Sequence, residues 1–187
     1  MRYHRFFKKS KAYNVLDYGA GNLRNAAFLS GKGFNVYAAD LPEQLLRARS
    51  MTVVEKLRGL LETGQLRQSK LNVDVVISTF VLNIISDPAE KKRYLENIIV
   101  NLRPGGYLLI EVSCREKSKN KCCDCTKCPT CAKSYSREEL DQLVAPYGFE
   151  RLARYYGRHS IGVLYQWKKE CFSRGEAGFI EGRGSNV

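Results

Sequence analysis

The sequence predicts an α/β protein: a doubly wound, mostly parallel sheet with an antiparallel last strand, covered on both faces by helices in three αβα layers. Three observations predict it. Short apolar runs alternate with amphipathic stretches, the pattern of strands joined by helical crossovers. A glycine turn, Gly19-Ala20-Gly21, leads from the first apolar run straight into a helix-like stretch. Only Gly157-Arg158-His159-Ser160 separates the last two runs, a gap that admits a hairpin and no crossover.

Residues 14–18 read as the first buried strand, and 23–31 as a helix with Leu23, Ala26, Ala27 and Leu29 on its apolar face. The second strand covers 35–39 and stops at Asp40. Pro42 suits the first turn of a helix over 43–48. Between Met51 and Asn72 two readings stand: a strand begun by Thr52-Val53-Val54, or a helix reaching Thr63. Residues 73–80 form a clear buried strand. After Asp87-Pro88 comes a helix with Tyr94, Leu95, Ile98, Ile99 and Leu102 on one face, ended by a turn at Arg103-Pro104-Gly105-Gly106. A further strand follows over 107–112. Ser136 with Glu139 is a capping box for a helix ending near Gly148. The closing hairpin pairs 150–156 with 161–167. One domain, 1–170, is expected, with a cysteine-rich insertion at 113–134. A flexible tail follows at 171–187, where IEGRGS resembles a vector-derived linker and is set aside.

A hydrophobic content of 44% and a charged content of 27% are ordinary for a globular chain, so disorder and fibrous classes are excluded. No apolar stretch is long enough to span a membrane. Met1 to Lys11 is basic without an apolar core behind it, so no secretory signal is expected and the predicted compartment is the cytoplasm. The net charge of +12 points to two possibilities, a polyanionic partner such as nucleic acid or an ordinary basic surface.

The densest information lies in Val15 to Asn25, where a strand carrying Asp17 runs into Gly19-Ala20-Gly21 and on into a helix. About twenty residues later a second strand ends at Asp40, where a carboxylate accepts the two hydroxyls of a ribose. Two cofactor classes fit such an arrangement. A dinucleotide site wants a third glycine where this chain has Arg24, and Asp17 ahead of the turn would repel a pyrophosphate. A ligand with an ammonium or sulfonium, such as S-adenosylmethionine, suits that carboxylate.

The run DYGAGNLRNAAFLSGKGFNVYAAD resembles motif I and the following acidic strand end of the class I S-adenosylmethionine-dependent methyltransferases. DVVISTFVLNIISDPAEKKRYLENIIVNLRPGGYLLIEV is similar to the same family's fourth strand, helix and fifth strand, and GFE at 148–150 to its ending. The resemblance spans about residues 14–167 and implies a Rossmann-like fold and methyl transfer. It places Asp17 toward the methionine end of the cofactor, Gly19, Ala20 and Gly21 around it, Asp40 on the ribose and Leu41 against the adenine. Ser78, Thr79 and Phe80 would line the methyl-donor site. The chain departs from the pattern at Leu23, where many members have a glycine, and no third strand ending in an acidic residue is read.

Cys122, Cys125, Cys128 and Cys131 stand at even steps of three, with Cys123 in addition. In a reducing compartment such a ladder points to a metal before disulfides. Zinc on four thiolates is the first expectation, a metal-free loop the second and an iron–sulfur cluster the third. The acceptor is either a small metabolite or a nucleic acid. STFVLN after the fourth strand lacks the Pro-Pro-aromatic run of the amino-methylating nucleic-acid enzymes, and no Pro-Cys pair suits a cytosine-C5 enzyme. A short leader leaves little room for an N-terminal lid. His159, in the last turn beside Tyr155 and Tyr156, is the first candidate base, Glu111 the second, and His4 is expected to be solvated. The same features also fit a non-catalytic module that binds nucleic acid.

Overall fold

The computed structural model describes residues 2–113, 134–158 and 160–168. Seven strands form one sheet: β1 (Asn14–Tyr18), β2 (Asn35–Asp40), β3 (Gly59–Glu62), β4 (Val73–Thr79), β5 (Leu102–Ser113), β6 (Phe149–Tyr156) and β7 (Ser160–Trp167). Their order is β3-β2-β1-β4-β5-β7-β6, and β7 runs antiparallel to both its neighbours while the other pairings are parallel. The hairpin read from the last turn is therefore present, and the doubly wound, three-layer prediction holds.

Alternation within the strands divides the core. Val75 and Ile77 of β4 face one apolar cluster and Val76 the other. The first cluster is covered by α1 (His4–Lys9), α2 (Arg24–Ser30) and α3 (Pro42–Ala48), through Phe7, Ala26, Leu29 and Ala48. The second is covered by α4 (Leu66–Ser69), α5 (Pro88–Asn101) and α6 (Arg137–Val144), through Leu66, Leu95, Ile98, Leu140 and Val144. Both long helices of this layer begin as the sequence predicts: Asp87 accepts from Glu90 N–H at 3.0 Å, and Ser136 and Glu139 cap one another. Ala145–Tyr147 then tightens into a 3₁₀ turn that stops at Gly148, φ +81°.

Several expectations are corrected. Thr52-Val53-Val54 starts no strand; it lies in a 3₁₀ turn, Thr52–Lys56. The missing third strand is β3, and it does end in an acidic residue, Glu62, paired in register with Asp40. Arg103 to Gly106 is no chain-reversing turn but part of β5, which pairs with Val73 at Leu102 and resumes beside Val75 at Tyr107. Arg103 reaches Asp74 of β4 there, and Gly105 takes φ +74°, so the extra residues are absorbed as a bulge. The N-terminal basic stretch forms α1, with Phe7 fully buried, and His4 is half-buried with its ring edge-on to Phe28 at 5.3 Å. Among the described residues no helix is long and apolar enough to cross a membrane.

Candidate functional site

The C-terminal ends of β1, β2, β3 and β4 open onto a cavity of about 760 Å³. Its floor is the glycine turn. Gly19 and Gly21 have φ +76° and +48°, a region that costs other residues about 1–2 kcal/mol. Gly19 N–H and Ala20 N–H both donate to Ala39 O, tying the turn to the end of β2. A Cβ on Gly19 would lie 2.1 Å from Val81 Cγ2, so this glycine is required by the loop after β4. At Gly21 a Cβ would meet nothing within 4 Å; that face of the turn is free for a ligand's approach.

Asp40 sits where the two loops meet. Its Oδ2 accepts from Gly21 N–H at 2.6 Å and its Oδ1 from Leu41 N–H at 2.7 Å. Backbone donors thus fix the carboxylate, and each oxygen keeps a lone pair for a ligand hydroxyl. Leu41, 53% exposed, and Gln44 continue this wall, and Thr63, Gly64 and Arg67 complete it from beyond β3. Asn101 places that last segment: its Nδ2 donates to Leu66 O at 2.6 Å and its Oδ1 accepts from Leu71 N–H at 3.0 Å.

The opposite wall comes from β4 and α5. Thr79 Oγ1 accepts from Asn25 Nδ2 at 3.1 Å. Phe80 lies in the left-handed region, φ +62°, held there by its N–H on Glu111 O at 2.7 Å, and the residue is 46% exposed at the cavity. A bulky residue in this conformation stores strain of about 1–2 kcal/mol, as functional loops commonly do. Glu90, Arg93, Tyr94 and Asn97 give α5 a polar stripe at helical spacing. Asn97 donates to Tyr18 Oη at 3.2 Å. Tyr94 is buried with its hydroxyl toward that of Ser78; burial pushes its phenol well up, partly offset by hydrogen bonding with Ser78, so the hydroxyl stays neutral.

Of the residues singled out from the sequence, Gly19, Gly21, Asp40, Leu41, Thr79 and Phe80 line the cavity. Three others do not. Ser78 points the other way from Thr79 by strand alternation and is buried toward Tyr94. Ala20 packs its methyl into the α2 side of the core. Asp17 is fully buried behind the turn, where Oδ2 accepts from Ala26 N–H at 3.1 Å and Oδ1 has no partner. Burial raises its pKa from 3.8 to about 7; Asn25 and the Ala26 N–H pull it down, and the Asp40 charge pushes it up. Glu111 accepts from Tyr155 Oη at 2.6 Å and from Ser160 Oγ at 2.8 Å, away from the cavity lining. His159 and the ladder of Cys122, Cys125, Cys128 and Cys131 lie outside the described residues. Among the described residues no His, Cys, Asp and Glu cluster of metal-binding kind occurs.

Residues 2–153 match the model of a family described as a methyltransferase domain. The chain belongs to that family. Solved structures agree on the fold of this methyltransferase. An S-adenosylmethionine-dependent methyltransferase from Aquifex aeolicus superposes with a TM-score of 0.64 at 21% identity, over 87% of this chain and 88% of that one. The 1,6-didemethyltoxoflavin-N1-methyltransferase of Burkholderia thailandensis, solved with 1,6-didemethyltoxoflavin and S-adenosylhomocysteine, gives 0.66 at 20%, over 89% and 76%. Human N-acetylserotonin methyltransferase, solved with S-adenosylmethionine, gives 0.69 at 20%, over 89% and 50%. No curated protein matches the sequence.

Proposed function

We propose that this methyltransferase draws its methyl group from S-adenosylmethionine and holds it in the cavity above the glycine turn. The observation that carries the reading is the Asp40 carboxylate, clamped between Gly21 N–H and Leu41 N–H beside an open glycine face. That is what a ribose with two adjacent hydroxyls needs: two fixed acceptors and a backbone without side chains in the way. The cavity volume lies in the ordinary range for ligands of this size. Leu41, Thr63 and Gly64 would take the adenine, and Thr79 and Phe80 would border the methyl group.

Bound there, the donor supplies a methyl on a sulfonium, an electrophile that needs only an in-line nucleophile. The protein's part is positioning. Phe80 and Ile84, both exposed beside the cavity, would shield the reacting end from water. Asp17 contributes through the turn it anchors and not by contact. The acceptor is a small metabolite or a nucleic acid. If it must lose a proton, His159 is the proposed base; Glu111 is the weaker candidate, because its carboxylate is held by the Tyr155 and Ser160 hydroxyls away from the cavity lining. Zinc on Cys122, Cys125, Cys128 and Cys131 and a cytoplasmic location remain proposals from the sequence. Elemental analysis of protein purified without chelators, with the Cys125→Ser/Cys128→Ser variant beside it, tests the metal. One zinc per chain, lost in the variant, is expected; equal metal in both counts against the site.

The activity is tested with methyl-tritiated S-adenosylmethionine offered separately to a small-metabolite pool and to total RNA, with Asp40→Ala as the blank. Label should enter one pool with wild type and neither with the variant. Equal incorporation by the two proteins sinks the site assignment.

A further inference from the structure

The surface carried by α1 and α2 has a charge pattern that the cavity does not explain. Residues 2–39 hold seven Lys and Arg side chains and a single carboxylate, Asp17, which is fully buried. Both helices cover the same side of the sheet, joined by the His4–Phe28 ring contact. On α2, Arg24 and Phe28 stand one turn apart on one face, and Lys32 brings its Nζ to 5.8 Å from the Phe28 ring. Phe28 is 37% exposed, so an aromatic ring lies open between two cations. Arg5, Lys8 and Lys9 are exposed on α1, and none of these cations forms an ion pair among the described residues. The polar face of α5 is built otherwise: Glu90 and Glu96 sit among its cations and pair with Arg93 and Lys92.

An array of cations without carboxylates attracts phosphates by counterion release. An exposed ring flanked by cations adds a stacking platform, which only an unpaired base can use. The exposed phenylalanines of these helices, Phe6 and Phe28, are set among charges, a poor match to a lipid surface. Arg24 begins α2 two residues after Asn22 of the cavity lining, so the stripe starts near the cavity's edge. Unpaired bases are the standing condition of RNA and a transient one of DNA. We infer that the α1–α2 face is a docking track for single-stranded RNA leading to the methyl-donor cavity, which makes RNA the acceptor class. The acceptor assignment rests on the methyltransferase reading; RNA binding by the track does not.

Fluorescence anisotropy with a labelled, unstructured 20-nucleotide RNA tests it on the full chain. Wild type should bind with an affinity that falls steeply with salt. Arg5→Glu with Lys32→Glu should weaken binding at least tenfold and lower the log–log salt slope by about 1.4, at ~0.7 per lost phosphate contact. Phe28→Ala should weaken it about tenfold with little change in slope, since stacking carries no counterions. The double charge variant lies away from the cavity, so its S-adenosylmethionine affinity by calorimetry should match wild type and certify its fold. Wild-type-like RNA binding in both variants overturns the track. So does tighter binding of blunt duplex DNA, of a DNA strand of the same sequence, or of phosphatidylserine vesicles. Salt-sensitive RNA binding without any donor binding would instead remove the methyltransferase reading and leave the track standing.

Discussion

Replacing Asp17 by Asn asks whether the buried carboxylate beneath the glycine turn is neutral in the folded protein. Its pKa stands at about 7 against an ordinary 3.8, chiefly from burial. Below pH 3.8 both folded and unfolded chains carry the proton, and above about 7 neither does. Between those values the folded chain holds a proton that the unfolded chain has released, so stability falls as pH rises through this window and levels off above it. At ~1.4 kcal/mol per pH unit the full difference is about 4 kcal/mol, an upper bound for a group whose surroundings relax. Asn is near-isosteric and its Oδ1 accepts from Ala26 N–H as Asp17 Oδ2 does, so the variant should fold. Urea unfolding of both proteins at several pH values from 4.5 to 8 isolates the effect, because every other titrating group is shared. Stability of the variant relative to wild type should climb by a few kcal/mol as pH rises toward 7 and then stay constant. Parallel curves over the whole range would show an ordinary pKa and refute the burial argument.

Two further substitutions test the frame around the site. Gly19→Ala should destabilise by about 1–2 kcal/mol from its φ of +76° alone, and by more because the new methyl meets Val81; adding Val81→Ala should restore only the steric part, read by urea unfolding. Ser136→Ala removes the capping box of α6 and should cost about 1 kcal/mol, a fall of about 2–4 °C in Tm by calorimetry, without changing donor affinity.

The readable parts of the fold were those with an unambiguous period or punctuation. β1, β2 and β4 are apolar runs, and β4 is buried from Val73 through Ser78, so tertiary context and local pattern agree. β3 is not legible in the sequence because it has only four residues, all half-buried, at the sheet edge; such a strand shows neither alternation nor a continuous apolar run. Arg103 to Gly106 carries real turn chemistry, and what overrides it is Arg103 pairing with Asp74 across the bulge. The site divides in the same way. Gly19, Gly21, Asp40 and Leu41 sit in one compact motif and could be read as a unit. Thr63, Gly64 and Arg67 follow the unread strand, and Tyr94 and Asn97 reach the cavity from a helix far along the chain. One signal for them was present, the recurrence of Glu90, Arg93 and Asn97 at helical spacing along α5. Ser78 and Thr79 are neighbours in sequence, and strand alternation sends them to opposite sides, so only Thr79 reaches the cavity.

The central claim is tested most directly by titrating S-adenosylmethionine into the protein in a calorimeter, with Asp40→Ala alongside. One donor per chain with micromolar affinity in wild type, and a loss of at least tenfold in a variant that still unfolds cooperatively, is the predicted result. No heat of binding from well-folded wild type, or unchanged affinity without the Asp40 carboxylate, would contradict it.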